Sequence, residues 1–197
     1  GSGGGSLLKQ LHKLGRYDLT GIDPYIEGDT VFDQDFRLQK ASIEEARGSY
    51  DLIMFHHSLE HMGDHAGTLF AAKGLLASEG RMLVSMPIAT SAIWSLYGSS
   101  WFQLDPPRHL EIHSESSFLT LAERCGLEVV DSFYDSIPFS HLASAAYRAG
   151  IPLHSDEFER FRRGYGSREL RTLEALTREL NESRQGDQAA FVLRRAD

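Results

Sequence analysis

One cysteine, two tryptophans and no apolar run approaching twenty residues mark this 197-residue chain by what is scarce in it. A lone thiol, Cys125, excludes an internal disulfide and fits a reducing cytoplasm. Its setting, Leu121-Ala-Glu-Arg-Cys125-Gly126, reads as a helix end closed by glycine, which makes it a packed thiol rather than a nucleophile. Without a long apolar run there is no sequence signal for a membrane-crossing helix, and no signal peptide is visible. Basic residues are the minority charge: 20 Lys and Arg against 28 Asp and Glu leave a net charge of -8. Nucleic acid and anionic membrane both need a concentrated basic face, so neither is an expected partner.

Glycine, by contrast, is abundant at one place. The chain opens Gly1-Ser-Gly3-Gly4-Gly5-Ser6, continues with the amphipathic Leu7, Leu8, Leu11 and Leu14, and reaches an apolar strand, Tyr17-Asp-Leu-Thr-Gly21-Ile22, ending on Asp23-Pro24. The hexamer alone also reads as a flexible linker. Its spacing favours a ligand loop: Asp23 follows Gly3 by twenty residues, about the separation at which a strand-end carboxylate meets the ribose hydroxyls of a nucleoside. The glycines let backbone approach a ligand, and the helix beyond them offers free N–H groups.

The rest of the chain alternates strands and helices, which predicts a doubly wound, Rossmann-like α/β sheet, mostly parallel with an antiparallel last strand. Residues 24–34 read as a polar loop, Phe36–Gln39 as a short strand and Ser42–Ala46 as one helical turn. Tyr50–Phe55 is a continuous apolar run of the kind buried on both faces. A helix over His65–Leu76 and a strand over Arg81–Met86 follow. Residues 88–113 have no clear period and carry Trp94, Tyr97, Trp101 and Phe102, which suggests a substrate lid. A helix from Ser114 to Arg124 and a strand from Leu127 come next, and the pattern is helical from Ile137 to about Gln185, with an apolar stripe of Phe158, Phe161, Leu170, Leu173, Leu176 and Leu180. The expected organisation is a ligand-binding core over 1–136, a helical insertion over 137–186, and a final core strand within 187–197.

On these motifs the chain resembles the class I S-adenosylmethionine-dependent methyltransferases, in particular their type 11, 12 and 23 domains. Gly1-Ser-Gly3-Gly4 is similar to the end of the family's first motif and Gly21-Ile-Asp23-Pro24 to the second. Ser49-Tyr-Asp51-Leu-Ile-Met-Phe-His-His-Ser-Leu-Glu60-His61 is similar to its fourth-strand signature. Leu75-Leu-Ala-Ser-Glu-Gly80-Arg-Met-Leu-Val resembles the segment leading into its fifth strand, with Ser78-Glu79 where Pro-Gly is usual. The resemblance runs to about Ser132 and implies S-adenosyl-L-methionine as cofactor. It places Gly1 and Gly3 near the methionine moiety, Asp23 and Pro24 at the ribose, Ser42 and Ile43 at adenine, and His56 beside the sulfonium; ordinary core packing explains Ile43 equally well. The family's first strand, its preceding helix and the acid opening the first motif do not occur in this sequence. An N-terminal extension of about forty residues bearing that strand is therefore expected. Without it the strands ending at Asp23 and Phe55 are left as apolar edges, which either close up or take another chain, and cofactor binding is weakened.

The string His57-Ser-Leu-Glu60-His61 also matches the H-x-x-E-H pattern of zinc peptidases. Its position hard against a strand end and the early Gly63 oppose that reading. At Leu59-Glu60-His61 the chain also resembles ubiquinone-pathway O-methyltransferases that hold a divalent cation, but His57 replaces their acid, and no metal ligand is assigned. Methyl transfer needs alignment and exclusion of water, with a general base only for a hydroxyl acceptor. His61, His57 and His109 are the candidate bases, each with a structural reading beside it, and His61 leads because the resemblance puts it at the substrate pocket. Trp101, Arg108 and His109 lie in a stretch similar to lids of enzymes acting on sugars, lipids and quinone precursors; Arg108 either clamps an acidic group or pairs with Asp105. The expected function is O-methylation of a small-molecule acceptor, a sugar or related metabolite. The alternative is a degenerate fold serving as a non-catalytic interaction module.

Overall fold

The computed structural model describes residues 1–15 and 17–196. Gly5, with φ 74° in the left-handed region, turns the chain into helix α1, Ser6–Leu14. Strand β1, Leu19–Ile22, follows, and α1 packs so tightly on it that a Cβ at Gly21 would lie 2.6 Å from Leu8 and 2.4 Å from Leu38. A side chain there would have to displace these side-chain ends. Strands β2, Thr30–Asp33, and β3, Phe36–Gln39, form a hairpin, and β3 also pairs parallel with β1. The first sheet is therefore ordered β1-β3-β2. Strand β2 corrects the expectation of an irregular loop over 24–34. All four of its residues are exposed, so it lacks the buried apolar face that marks a strand in sequence; pairing with β3 and the stack of Phe32 on Phe36 at 4.6 Å form it instead.

The second sheet is ordered β4-β5-β7-β6, from β4 Tyr50–His56, β5 Leu76–Pro87, β6 Leu127–Tyr134 and β7 Gln188–Arg195. Helix α2, His65–Leu75, is capped by Asp64, whose carboxylate accepts from Gly67 N–H at 2.8 Å. Helix α3 spans Ala92–Tyr97, and helix α4, Glu115–Arg124, is capped by Ser114. Helices α5 Phe139–Arg148, α6 Asp156–Arg163 and α7 Ser167–Glu182 lie between β6 and β7 in the chain. The main core joins Leu69, Met82, Val84, Phe118, Phe191 and Leu193, each essentially inaccessible to solvent. At about 25 cal/mol per Å2, side chains of this size each stabilise the fold by roughly 1.5–3 kcal/mol before entropy is counted. Among the described residues no helix is long and apolar enough to cross a membrane.

The sheets are mixed rather than mostly parallel. β1·β3 and β4·β5 are parallel, whereas β2·β3, β5·β7 and β6·β7 are antiparallel. The excess of antiparallel pairing has two causes: the short hairpin beside β3, and a last strand that enters between β5 and β6 against both. Strand β4 is not buried on both faces either, since Leu52 is 51% exposed and Phe55 alone is fully buried. It is an edge strand: β1 and β4 stand in different sheets and have not closed upon each other. Smaller differences follow the same logic. Residues 43–45 make a turn but no helix, β5 begins already at Leu76, and the irregular 88–113 stretch contains α3 and two short 3-10 turns over 98–100 and 102–104. Asp197, within the expected last segment, lies outside the described residues.

Candidate functional site

The residues with chemical potential gather where strands β1, β4 and β5 end. Asp23, just past β1, is 8% exposed and anchors the glycine turn: Gly3 N–H donates to Oδ2 at 2.8 Å and Tyr25 N–H to Oδ1 at 2.9 Å. Each oxygen keeps a further lone pair for an incoming hydroxyl. The backbone nitrogens of Gly1 and Ser2 both donate to the Ile22 carbonyl at 3.0 Å. A Cβ on Gly1 would fall 2.5 Å from the Ser58 Cβ, so the glycine turn abuts the segment after β4. Gly3 has φ 50°, a backbone that only glycine adopts without strain. Pro24 is exposed. Ser42 N–H, expected at adenine, already donates to Glu45 Oε2 at 2.9 Å, and Ile43 packs against the core.

The turn after β4 is the most unusual backbone in the site. His56 is exposed and meets His57 edge-on at 5.1 Å. His57 has φ 48°, outside the ordinary range of a residue with a side chain, and its N–H donates to Ser85 O at 2.9 Å. Its Nδ1 lies 3.4 Å from Glu60 Oε1, in a carboxylate only 1% exposed that has no aligned hydrogen bond of its own. The contact is better described as an ion pair than as a directed hydrogen bond. Its attraction outweighs burial and raises the His57 pKa above the ordinary histidine value. The stabilisation that His57 gains is thus complete below the unfolded value near 6.5 and is lost as pH rises through the higher folded value. Glu60→Gln is expected to bring the His57 titration midpoint down, followed by NMR of its ring protons; an unmoved midpoint would show that Glu60 does not hold the charge.

Residues 101–113 cover this turn. Leu110 N–H donates to Glu60 O at 2.8 Å, and His61 Nδ1 lies 2.9 Å from Arg108 O. A carbonyl can only accept, so Nδ1 of His61 carries a proton, and the neutral tautomer of that ring has its lone pair on Nε2. His109 is fixed in the same tautomer by Gln103 O, 2.6 Å from its Nδ1, and the two rings lie 4.7 Å apart. Arg108 pairs with Asp105 at 2.5 Å and remains largely exposed, so it holds its loop while its guanidinium stays open to solvent. Trp101 is 1% exposed and not at the surface; its indole N–H donates to Asp187 Oδ2 at 2.8 Å. The structure thus brings His57, Glu60, His61, Arg108 and His109 together and makes Trp101 an anchor of the loop.

Asp187 was missed by motif reasoning. It is fully buried and accepts from Trp101, Ser140 Oγ and, at 3.5 Å, Gln103 Nε2, while its N–H donates to Ser136 Oγ at 2.6 Å. An acid at the mouth of an apolar strand was the available signal. Among the described residues, two sets of side chains have ligand atoms within 4.8 Å of one another: Glu60, His61 and His109, and, separately, His65, Glu111 and His113.

Comparison with known proteins adds family and fold. The family model described as "Methyltransferase domain" matches residues 1–132. No curated protein matches the sequence. A solved protein from Galdieria sulphuraria, described as a "putative sarcosine dimethylglycine methyltransferase", is similar over all of this chain and 77% of its own length, with 17% identity and a TM-score of 0.62. Geranyl diphosphate methyltransferase, solved with S-adenosylmethionine, is similar over all of this chain and 76% of its own, at 12% identity and TM-score 0.62. The [4+2]-cyclase SpnF is similar over all of this chain and 72% of its own, at 14% identity and TM-score 0.60. Identities this low speak to the fold alone.

Proposed function

Since this chain belongs to the methyltransferase domain family and is an S-adenosylmethionine-dependent methyltransferase, we propose that it methylates a hydroxyl oxygen of a small molecule, a sugar or related metabolite, with His61 as general base. The observation that carries the reading is the His61 tautomer. Its Nδ1 is committed to the Arg108 carbonyl, and its exposed ring presents Nε2 as a proton acceptor beside the strand ends. A fold shared with a cyclase does not fix the reaction, so the argument rests on the side chains.

The residues present fit the cofactor. Asp23 retains acceptor capacity for two ribose hydroxyls, and Cβ positions built on Gly3 and Gly4 meet nothing within 4 Å, which leaves open space along the turn. When bound, S-adenosylmethionine supplies an electrophilic methyl group on a sulfonium. Asp23 would hold the ribose, with Pro24 closing the turn behind it. Gly1 and Gly3 would let backbone reach the methionine portion. Ser42 and Ile43 would border the adenine, the Ser42 N–H first exchanging its bond to Glu45, and His56 would flank the reacting end. The lid over 88–113, held onto the turn by Leu110 and pinned by Trp101, would border the acceptor. His61 Nε2 takes the hydroxyl proton as the oxygen loses it. His57 and His109 are the remaining candidate bases; both are more committed, His57 to Glu60 and His109 to the Gln103 carbonyl. Arg108 offers its exposed face to an acidic group on the acceptor. The core over 1–136 and the helical segment over 137–186 divide binding from lid support in this reading.

The test is transfer of labelled methyl to a panel of hydroxylated, amino and carbon-acid metabolites. Label on a hydroxyl compound is expected, and His61→Ala should lower kcat about 10^2–10^4-fold with cofactor affinity unchanged. Label only on nitrogen or carbon, or a kcat insensitive to His61, would remove the assignment.

A further inference from the structure

A second histidine cluster stands apart from the proposed base. His65 opens α2, and His113 closes the loop 101–113 just before α4. Both imidazoles are buried, with side chains 2% and 6% exposed, and they meet nitrogen to nitrogen: His65 Nδ1 lies 2.8 Å from His113 Nε2. The Glu111 carboxylate reaches the same point, with Oε2 3.9 Å from His65 Nδ1 and Oε1 3.5 Å from His113 Nε2. From these residues we propose a cation site of the zinc class, ligated by His65 Nδ1, His113 Nε2 and one Glu111 oxygen, with the fourth position open to water.

Geometry, chemistry and outer contacts point the same way. Tetrahedral ligands about 2.0–2.1 Å from zinc stand roughly 3.3 Å from one another. The two nitrogens are 2.8 Å apart, and Glu111 comes within 3.5 Å of His113 through Oε1 and within 3.9 Å of His65 through Oε2, so a turn of the exposed carboxylate is needed to bring one oxygen to both. Two imidazoles and one carboxylate suit zinc, cobalt or nickel, whereas magnesium and calcium prefer an all-oxygen shell. His113 Nδ1 lies 3.0 Å from Ser117 Oγ, an outer hydrogen bond of the kind that orients a ligating imidazole. Without a cation the two facing nitrogens can share only one proton. Glu111 is 56% exposed, which leaves an entry path and a position for water.

The consequence is mechanical. Glu111 and His113 lie two and four residues after His109, and Ala89 N–H donates to the His113 carbonyl at 2.9 Å. A cation here would clamp the end of the lid to the start of α2, whatever acceptor the enzyme uses. The experiment is titration of chelator-treated protein with Zn2+ by calorimetry and with Co2+ by visible absorption. One equivalent is expected, with the intense bands of tetrahedral Co2+. At a hundredfold excess over Kd, Zn2+ should raise the Tm by about 5–10 °C. His65→Gln and His113→Gln should each weaken binding at least tenfold, whereas His61→Ala should keep it. Wild-type protein that shows neither tetrahedral Co2+ bands nor a Zn2+-dependent Tm overturns the proposal, even if a variant fails to fold. Binding that survives in His65→Gln or His113→Gln but is lost in His61→Ala also overturns it, placing the ion with Glu60, His61 and His109.

Discussion

Asp187→Ala is expected to lower the melting temperature by about 6–12 °C. The carboxylate is fully buried and receives the Trp101 indole N–H at 2.8 Å together with the Ser140 hydroxyl, and Gln103 approaches it at 3.5 Å. Alanine removes the charged acceptor and leaves those donors buried without partners. A hydrogen bond to a charged group is worth about 1.5–3 kcal/mol, and each orphaned donor adds a desolvation cost. The desolvation of the carboxylate itself is relieved, so the net loss is about 3 kcal/mol; for a chain of this length each kcal/mol moves the Tm by roughly 2–4 °C. Asp187→Asn keeps one acceptor oxygen and should fall between. The loss should be accompanied by faster proteolysis within 88–113, because Trp101 would no longer be tied to the start of β7. Thermal unfolding by circular dichroism checks the first effect and limited digestion the second. An alanine variant melting within about a degree of the parent would mean that the Trp101 anchor contributes little.

The sequence carried the elements whose signals are local. The glycine turn and Asp23, twenty residues apart, are joined in space by a single hydrogen bond from Gly3 N–H to the Asp23 carboxylate. Likewise α2, α4 and β7 lie where periodicity puts them, and the structure shows Asp64 and Ser114 capping the two helices. Legibility failed where long-range pairing decides the outcome. Thr30–Asp33 has no buried face, so only its pairing with β3 makes it a strand. Tyr50–Phe55 looks buried on both faces because its residues are apolar, yet its exposure depends on which strand lies next to it, which periodicity cannot report. The site divides in the same way. His57, Glu60 and His61 are adjacent in sequence and stood out as a motif, whereas Arg108 and His109 reach them only through lid closure. Asp187, 86 residues from Trp101, has only its place at the mouth of an apolar strand as a local mark, and nothing local names its partners. The His65, Glu111 and His113 cluster was invisible for the same reason: His65 and His113 are 48 residues apart.

Asp23→Ala is expected to weaken cofactor binding about ten- to a hundredfold. Its carboxylate is the one buried charge at the end of β1, held in place by Gly3 and Tyr25 N–H, and a nucleoside in this turn would lose the charged acceptor for two hydroxyls. That loss corresponds to about 1.5–3 kcal/mol. The Gly3 and Tyr25 donors also lose their partner, so melting curves are recorded alongside to confirm that the variant is folded at the temperature of the titration. Asp23→Asn, which keeps one acceptor oxygen and loses the charge, should lose about tenfold. The decisive measurement is calorimetric titration of S-adenosylhomocysteine into the parent and both folded variants. The account predicts one site in the parent and progressively weaker binding from Asp23→Asn to Asp23→Ala. Equal affinity in all three, or a folded parent that takes up none, would contradict it.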